Sequence, residues 1–420
     1  MASLPRKLSV ERLPVEGKTV LVRVDFNVPL KEGPGGAMQV GDDTRIAASL
    51  PTIRHLIERG AKTVLVSHLG RPDGKADPKL SLQPAAKRLA ELLGRPVAFC
   101  PEAIGPKAEA AAKALAPGEV LLLENVRFHK EEEKNDPVFA QALAKLAETY
   151  VSDAFGTVHR AHASTVGVAK LFPQAACGFL IAKELQFLGQ ALAAPVHPYV
   201  AVLGGAKVGD KIAVIRSLLE RADTLLIGGA MAYTFLKAQG HGIGASLLDE
   251  PHLKLAGELI AEAQAKGKRL LLPSDHLVTP KTAFAAPSKP GKAAKPGKDA
   301  PATPCGVDIA EGMVGLDIGP ETTRVYREEV RKGKMVVWNG PVGMFELPRF
   351  AEGTFAIAKA MAEATRANGA VTIIGGGESV AAANQAGVAA GITHVSTGGG
   401  ASLEFLEGRE LPGIAVLTNA

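Results

Sequence analysis

Polar and basic side chains follow the apolar segments in the first half of the 420-residue sequence. The residues at these positions are Asp25 and Asn27, then His68 and Arg71, then Arg127 and His129, and, after Asp153, Arg160 and His162. The planar donors of a guanidinium group match the oxygen atoms of carboxylates and phosphates. A single arginine of this kind is more often a solvated surface group. Several of them at one edge of a sheet would bind a small polyanion.

The apolar segments of the second half end in glycines instead. They are Gly204 and Gly205, Gly228 and Gly229, and Gly375 to Gly377. Glycines at a strand-to-helix turn let phosphate oxygens approach backbone N–H groups at the positive end of a helix. The pattern indicates nucleotide phosphates, or a nucleotide base packed on bare backbone. A tight turn needed only for packing is the better explanation of any single pair.

Two lysines follow the first glycine pair, in the segment GGAKVGDK (204–211). Asp210 comes before the second lysine, so the segment is not a GxxxxGK[ST] phosphate loop, and the sequence has no GxGxxG fingerprint. On a helix that begins at the glycines, Lys207 and Lys211 would lie at i and i+4 and share one face. The glycines favour an anion site there, although an exposed helix face would also explain the lysines.

Parallel strands are the elements that must position these residues. Short runs rich in Val, Ile and Leu alternate with longer helical segments, and such runs bury both faces of a sheet. They lie at 18–24, 62–68, 120–126 and 150–155 in the first half and at 199–205, 223–229, 269–275, 334–340 and 371–377 in the second. The sequence predicts an α/β protein of two Rossmann-like lobes with ligands at the carboxyl ends of the strands.

Three further segments have readable patterns. The apolar spacing of residues 178–198 predicts an interdomain helix, which Pro195 and Pro198 would terminate. Residues 81–94 read as a helix with Ser81 as N-cap and Gly94 as stop. Residues 284–304 are rich in Pro, Ala, Lys and Gly and cannot bury a core, which predicts an exposed loop inserted in the second domain. A basic segment that binds nucleic acid is the alternative for this stretch.

The composition narrows the class of protein. Hydrophobic residues at 46% and charged residues at 22% are typical of a folded globular protein and exclude wholesale disorder. Much of the net charge of +5 lies in the four lysines of 285–304. The three cysteines lack CxxC spacing, which predicts free thiols. No signal peptide and no apolar run of about 20 residues is present, so we expect a soluble cytoplasmic protein with no membrane partner.

A lobe for a small polyanion, joined to a lobe for nucleotide phosphates, predicts phosphoryl transfer. This chemistry depends on positioning and charge neutralisation more than on a covalent nucleophile. We expect His68 to donate a hydrogen bond to the anion rather than to act as a general base. The sequence contains no HExxH motif and no His/Cys metal set.

Ten motifs in register resemble the phosphoglycerate kinase family, from about residue 8 to the C-terminus. They are RVDFNVPL (23–30), DDTRI (42–46), SHLGRP (67–72), ENVRFH (124–129), HRAHAST (159–165), GGAKVGDKI (204–212), GLDIGPET (315–322), WNGPVGMFE (338–346), the GGG turn (375–377) and STGGGASLEFLEG (396–408). The resemblance implies a monomer of two lobes around a hinged cleft. It also implies reversible transfer of the acyl phosphate of 1,3-bisphosphoglycerate to Mg-ADP, giving 3-phosphoglycerate and Mg-ATP, without a covalent enzyme intermediate.

The resemblance also assigns roles to residues. The implied phosphoglycerate site consists of Asp25, Phe26, Asn27, Arg45, His68, Leu69, Gly70, Arg71, Arg127 and Arg160. The implied nucleotide site consists of Lys207, Lys211, Gly228, Gly229, Asn339, Pro341, Glu346, Gly376, Gly377, Glu378 and Ser379, with Glu378 as the Mg²⁺ ligand. The implied catalytic groups around the transferred phosphoryl are Arg45, Lys207, Gly376 and Gly399. From pattern alone, Arg45 could equally pair with Asp42 or Asp43.

The resemblance implies a phosphoglycerate-binding domain of residues 1–177 together with 403–420 and a nucleotide-binding domain of residues 199–402. The interdomain helix and linker, 178–198, would connect them. Two features depart from the family pattern: Glu378 stands where Asp is usual, which puts the magnesium geometry in doubt, and 284–304 matches nothing in it. Three alternatives stay open at this point. One is a binding protein that keeps the fold without the activity, another is an NAD-dependent dehydrogenase, and the last is nucleic-acid binding through 284–304.

Overall fold

The chain forms two compact units. The computed structural model describes residues 6–284 and 294–420. Unit 1 consists of residues up to Gln186 together with Glu410–Ala420, and unit 2 is Phe187–Arg409. The return to unit 1 therefore comes after Arg409 and not after the predicted residue 402. The physical reason is that the helix ending at Leu406 packs within unit 2, where the Leu406 carbonyl accepts a hydrogen bond from the Ser217 hydroxyl at 2.5 Å.

Unit 1 contains a six-stranded parallel sheet in the order β5-β6-β4-β1-β7-β8 and a separate β2-β3 hairpin. The strands are β1 (Thr19–Val24), β2 (Leu30–Glu32), β3 (Met38–Val40), β4 (Lys62–Val66), β5 (Ala98–Cys100), β6 (Val120–Leu123), β7 (Thr149–Asp153) and β8 (Ala175–Cys177). The helices are α1 (Thr44–Glu58), α2 (Gln83–Leu93), α3 (Pro106–Lys113), α4 (Lys130–Glu133), α5 (Pro137–Ala144) and α6 (Phe179–Ala193), the last of which spans the division between the units.

Unit 2 contains a second six-stranded parallel sheet, in the order β11-β10-β9-β15-β16-β17. Its strands are β9 (Tyr199–Leu203), β10 (Thr224–Ile227), β11 (Arg269–Leu271), β15 (Met335–Asn339), β16 (Val371–Gly375) and β17 (His394–Val395); β12 (His276–Pro280), β13 (Thr303–Cys305) and β14 (Met313–Ile318) form another sheet. The helices are α7 (Ile212–Leu219), α8 (Met231–Ala238), α9 (Leu253–Ala265), α10 (Pro320–Lys332), α11 (Glu352–Asn368), α12 (Gly377–Gln385) and α13 (Gly399–Leu406), and α14 (Pro412–Ala415) follows in unit 1.

Several strands of the two parallel sheets are buried along their whole length. Every residue of β6, β7, β9, β10 and β15 is buried. A strand covered on both faces is apolar at most positions, which is why runs rich in Val, Ile and Leu predict β6, β9, β10 and β15 correctly. The strand β7 is the exception, because Thr149, Ser152 and Asp153 are buried polar residues. In unit 1, Val22, Leu65, Leu122 and Val151 belong to one apolar core from four neighbouring strands. These four strands carry the residues discussed below at their carboxyl ends.

The sequence patterns do not predict the antiparallel sheet in unit 2. Its order is β13-β12-β14, and β12 pairs antiparallel with both neighbours. The strand β13 overlaps the end of the segment predicted as the 284–304 loop, of which 285–293 lies outside the described residues. Within the rest, Pro296 and Ala300 are buried and Phe284 forms a bridge with Pro296. The described end of the segment is therefore anchored, although most of its side chains are exposed.

Two predicted helices are shorter than expected. The helix α2 begins at Gln83 with Leu82 as N-cap; the Ser81 hydroxyl accepts the Gln83 N–H at 3.2 Å but lies one position too early to be the cap residue. Gly94 ends α2 in the left-handed conformation, as predicted, with φ of 69°. The helix α6 covers Phe179–Ala193 of the predicted 178–198 and ends before Pro195.

Cys100, Cys177 and Cys305 are free thiols, as the missing CxxC spacing predicts, and the first two are buried. Within residues 6–284 and 294–420, no helix combines the length and the apolar character needed to cross a membrane.

Candidate active site

The basic residues of unit 1 converge on one cavity. The strands β6, β4, β1 and β7 are neighbours in the sheet, so the loops after their carboxyl ends meet at one edge. These loops and the start of α1 enclose a cavity of about 230 Å³. The residues that line it are Asp25, Asn27, Arg45, His68, Gly70, Arg71, Arg127, Gly156, Thr157, His159, Arg160 and His162. Four arginines and a single carboxylate make this cavity a receptor for an anion.

Arg45 reaches the cavity from the first turn of α1. Its Nη1 donates to Asp25 Oδ2 at 3.0 Å and to the Asn27 carbonyl at 3.2 Å. It therefore pairs with neither Asp42 nor Asp43, the two partners that the local pattern offers, and Asp43 instead accepts from Arg88 at 2.7 Å. The Arg45 side chain is 36% exposed. Because only Nη1 is engaged in these bonds, the other guanidinium nitrogens remain available to a ligand.

The loop after β4 is held by hydrogen bonds from two sides. The Asn27 side-chain oxygen accepts the Gly70 N–H at 2.9 Å, and Arg127 Nη1 donates to the Gly70 carbonyl at 2.9 Å. Arg127 lies on a 3-10 turn, Val126–Phe128, where its own N–H donates to the side-chain oxygen of Asn125 at 3.1 Å. Its Nε also lies 3.2 Å from Glu133. This arginine is therefore oriented before any ligand binds.

Burial and positive charge keep two histidines of the cavity, His68 and His162, neutral. Burial is the largest cause that lowers the pKa of His68 well below its usual value, and Arg23, Arg127 and Arg45 add to it. The same causes, with burial first and Arg127 next, lower the pKa of His162 to about 4. Both rings are thus uncharged near pH 7. As neutral groups, they can donate a hydrogen bond to an anion without adding a further positive charge to the cavity.

The cavity includes most, but not all, of the predicted phosphoglycerate residues. The side chains of Phe26 and Leu69 do not line it; both are buried in the apolar core of unit 1. Conversely, His159, His162, Gly156 and Thr157 line the cavity although the predicted site omits them. Both histidines belong to the HRAHAST motif (159–165), where the resemblance assigns a role to Arg160 alone, and His162 is also one of the residues that follow the strand ending at Asp153. Gly156 and Thr157 carry no such signal because only the chain path after β7 brings them to the cavity.

In unit 2, the glycines lie at the carboxyl ends of four neighbouring strands, β10, β9, β15 and β16. The backbones of these turns touch one another directly. A Cβ added at Gly204 would collide with the Pro341 carbonyl, and one at Gly229 would lie 2.6 Å from the Gly205 nitrogen. Gly229 also has a φ of 66°, a conformation that favours glycine. These glycines are therefore required by close backbone packing, and they leave a surface free of side chains.

The two lysines of the GGAKVGDK segment have different environments, so the predicted common helix face is wrong. The helical turn begins only at Gly209, with α7 following from Ile212. Lys207 precedes the helix and is exposed, whereas Lys211 is buried. The Lys211 ammonium donates to the Asn339 side-chain oxygen at 2.5 Å and to its carbonyl at 3.3 Å. The Asn339 Nδ2 is buried and has no hydrogen-bond partner within residues 6–284 and 294–420.

Two helix N-termini face the same strand edge of unit 2. The helix α12 begins at Gly377, directly after β16, and its N-cap Gly376 has a φ of 89°. The helix α13 begins at Gly399 after Gly398. Neither has a side-chain cap, so their first N–H groups and positive dipole ends are open to phosphate oxygens. Ser379 is buried and accepts the Gly340 N–H at 2.6 Å, which ties α12 to the loop after β15.

Glu378 and Glu346 are the exposed acidic residues of the predicted nucleotide site. Within residues 6–284 and 294–420, no group of three His, Cys, Asp or Glu side chains could hold a metal ion. Magnesium usually keeps several waters and binds through one or two carboxylates together with substrate phosphates. A single exposed carboxylate, that of Glu378, beside the open N-terminus of α12 is consistent with this mode of magnesium binding. One carboxylate is not sufficient for a site in which protein ligands alone coordinate the ion.

Replacing Gly204 by alanine should lower the affinity for ADP by about tenfold or more, because the new methyl group would displace the Pro341 and Gly340 carbonyls, which directly follow Asn339 at the end of β15. Calorimetric titration with ADP measures the change. Gly306→Ala is the matched control, since a Cβ there meets no atom within 4 Å. Binding of 3-phosphoglycerate to the same variant should be unchanged. Wild-type ADP affinity in Gly204→Ala would contradict this interpretation.

Affinity for ADP should fall as the pH rises above 8. Burial lowers the pKa of Lys211 to about 8, and Glu378 and Asp210 only partly oppose the shift. The protonated fraction of the amine therefore decreases through this pH, and binding a phosphate must restore the proton. We expect the dissociation constant to rise by up to about tenfold for each pH unit above this pKa.

Titrations at pH 8.5 in buffers of different ionisation enthalpy should also detect proton uptake on ADP binding. In Lys211→Arg both effects should disappear, because a guanidinium stays charged. The same pH trend in that variant would assign the effect to another group.

Comparisons with known proteins agree on one family. The family model described as phosphoglycerate kinase matches residues 10–409. The phosphoglycerate kinase of Clostridium novyi (strain NT) is 53% identical over 415 residues, which cover 98% of this chain and 99% of the relative. That of Moorella thermoacetica is 54% identical over 413 residues, with coverage of 98% and 99%.

Solved structures of similar proteins give the same result. The phosphoglycerate kinase of Coxiella burnetii superposes with a TM-score of 0.84 at 39% identity, and the alignment covers 98% of both chains. That of Pyrococcus horikoshii OT3 has a TM-score of 0.81 at 34% identity, again with 98% of both chains covered. The predicted α/β fold with two parallel sheets is confirmed by these neighbours.

Proposed function

The chain belongs to the phosphoglycerate kinase family, and we propose from this premise how its residues divide the reaction. The protein is an ATP-dependent phosphotransferase of glycolysis that moves a phosphoryl group reversibly between 1,3-bisphosphoglycerate with ADP and 3-phosphoglycerate with ATP. Unit 1 binds the phosphoglycerate in its arginine-lined cavity. Unit 2 binds the nucleotide along its glycine-lined strand edge.

One observation carries this division of roles. Arg45, from the first turn of α1, and Arg71, Arg127 and Arg160, from three separate loops, line one cavity of about 230 Å³ in unit 1. A phosphoglycerate carries a phosphate and a carboxylate, and guanidinium groups bind both in a bidentate manner. The strand edge of unit 2 offers backbone N–H groups and Lys211 instead. Such an arrangement suits the phosphates of a nucleotide better than a small acid.

In the proposed mechanism, the protein neutralises charge on the transferring phosphoryl group and forms no covalent bond to it. Arg45, with guanidinium nitrogens still available, acts from unit 1, and the exposed Lys207 ammonium acts from unit 2. The backbone N–H groups at the starts of α12 and α13, including those of the N-cap Gly376 and of Gly399, complete the set of donors. Transfer needs an in-line arrangement and exclusion of water, which closure about a hinge would provide.

Magnesium fits this proposal as a partner of the nucleotide. Glu378 would hold the ion together with the nucleotide phosphates, since it is an exposed carboxylate in the first turn of α12. When bound, the ion supplies positive charge to the phosphate oxygens. Glu346 would bind near the ribose, while Gly228 and Gly229 provide the flat surface for the base. We further propose a monomeric, cytoplasmic enzyme with no nucleic-acid partner.

Formation of ATP from 1,3-bisphosphoglycerate and Mg-ADP is the direct test. We expect turnover in the forward direction and in reverse from 3-phosphoglycerate and ATP. Calorimetric titration of each substrate separately adds a test of the division of roles. Arg127→Ala should weaken binding of 3-phosphoglycerate and leave ADP binding unchanged, whereas Lys211→Ala should do the opposite. If the protein binds both substrates without turnover, it is a binding protein. A dehydrogenase would show neither the selective loss of 3-phosphoglycerate binding in Arg127→Ala nor the selective loss of ADP binding in Lys211→Ala.

A further inference from the structure

A buried chain of polar side chains runs behind the cavity of unit 1. Arg23 lies on β1 and is only 1% exposed. Its Nε donates to the Ser164 hydroxyl at 2.8 Å, one terminal nitrogen donates to the Val24 carbonyl, and the other, Nη2, lies 3.1 Å from His68 Nδ1. The Ser164 hydroxyl and N–H donate in turn to the two oxygens of Glu132, at 2.6 and 2.8 Å.

The chemistry of this chain determines which nitrogen of His68 carries the proton. A guanidinium group can only donate hydrogen bonds, so Nδ1 must accept the one from Arg23. In a neutral imidazole the proton then lies on Nε2. The nearest carboxylate oxygen, on Asp25, is 4.0 Å from Nδ1 and too distant to compete for it. His68 therefore has one donor left, Nε2–H, to offer to an anion in the cavity.

Glu132 supplies the negative charge that a buried guanidinium needs. It is 0% exposed, lies on α4, and accepts both of its bonds from Ser164. Burial raises the pKa of Glu132, while the charges of Arg23 and Arg127 and the Ser164 bonds oppose the rise. A carboxylate whose two oxygens both receive donors is stabilised in its charged form. Without it, Arg23 would be an uncompensated buried charge.

We propose that Arg23 and Glu132 are positioning residues that hold His68 as a neutral, Nε2-protonated hydrogen-bond donor to the phosphoglycerate. Arg23 does not belong to the described lining of the cavity, so it acts on the substrate through His68. Ser164 connects the two charged residues. This inference rests on the proposal that the unit 1 cavity binds phosphoglycerate.

Nitrogen-15 NMR of the histidine side chains in the ligand-free protein tests the first part. His68, assigned by comparison with His68→Gln, should show only the Nε2–H tautomer near pH 7. In Arg23→Met the loss of the donor to Nδ1 should give a mixture of tautomers or an imidazolium. Glu132→Gln should change the His68 signals in the same way, because an amide cannot accept from both Ser164 donors. A wild-type Nδ1–H tautomer or imidazolium would overturn the proposal.

A double-mutant cycle tests whether Arg23 acts through His68. We expect Arg23→Met to weaken 3-phosphoglycerate binding by about 10- to 100-fold, the range for a bond to a charged group. The double variant with His68→Gln should then bind no more than about threefold more weakly than His68→Gln alone. Additive losses would mean that Arg23 contacts the anion itself, which contradicts the proposal.

Two controls keep the test informative. Wild-type backbone amide NMR signals from unit 1, which contains Arg23, Glu132 and Ser164, show that this unit is folded in each variant. Ser164→Ala, a smaller change at the same connection, replaces Arg23→Met if that variant does not fold. Ser164→Ala should also change the His68 signals, and unchanged signals there would count against the connection. If the wild-type protein fails to bind 3-phosphoglycerate, the proposed function is overturned, while the NMR measurement still decides the tautomer.

Discussion

Lys207→Ala should lower kcat by about 100- to 1000-fold while the KM for ATP changes by less than about threefold. Removing one donor aimed at charge that develops in the transition state typically costs this much in rate. Lys207 precedes the helical turn and is exposed. An exposed ammonium contributes little to a nucleotide already held by Lys211 and the N–H groups of α12. We therefore expect its effect at the transition state.

Steady-state kinetics in both directions, with ADP affinity from calorimetry, would separate these effects. Lys254→Ala is the matched control, because this lysine is also exposed and lies on α9 of the same unit, with its side chain 93% exposed. It removes the same charge without touching the strand edge and should have wild-type kinetics. An equal loss of kcat and of ADP affinity in Lys207→Ala would mean that the lysine only binds the nucleotide.

Arg45→Ala should have the second large effect, a fall in kcat of about 100- to 1000-fold together with a rise in the KM for 3-phosphoglycerate. Arg45 is the cavity arginine that is bound through a single terminal nitrogen to Asp25 and Asn27. Its removal takes away donors to the phosphoryl group. It also leaves the Asp25 carboxylate facing an anionic substrate without its partner, which explains the added loss of affinity.

Arg88→Ala provides the comparison for Arg45. Arg88 is an arginine of the same unit whose guanidinium bridges Asp43 and Glu91, and it lies outside the cavity lining. Its removal should leave both kcat and KM unchanged. Arg45→Lys should have a higher kcat than Arg45→Ala, since lysine restores the positive charge but not the planar guanidinium group with its paired donors. Wild-type turnover in Arg45→Ala would remove this residue from the mechanism.

The parallel strands and the residues that follow them could be predicted because they depend on local patterns. A strand buried on both faces is apolar at most of its positions, so β1, β4, β9 and β15 stand out in the sequence. The antiparallel strand β12 does not. It is five residues long, mixes His, Thr and Pro with apolar residues, and is held by partners far along the chain, β13 and β14. Its pairing therefore leaves no local signal.

The pairing of charged side chains could not be predicted either. The choice of Arg45 between Asp42, Asp43 and Asp25 depends on where the carboxyl end of β1 lies relative to α1. The different burial of Lys207 and Lys211 follows from a helical turn that begins five residues after the first glycine, at Gly209. Each of these outcomes depends on contacts between distant segments, whereas the sequence pattern describes only neighbours.

The sequence by itself determined the fold class, the family and the residue types at the strand ends, because these follow from periodic burial and from motifs in register. Only the tertiary structure decided that β6, β4, β1 and β7 lie side by side, so that their arginines share one cavity. It also decided that Arg23, in the same RVDF motif as Asp25, is buried against His68 rather than exposed to a ligand. The physical reason is that the sheet order and the long-range hydrogen bonds place these groups. Neither can be predicted from the spacing of residues along the sequence.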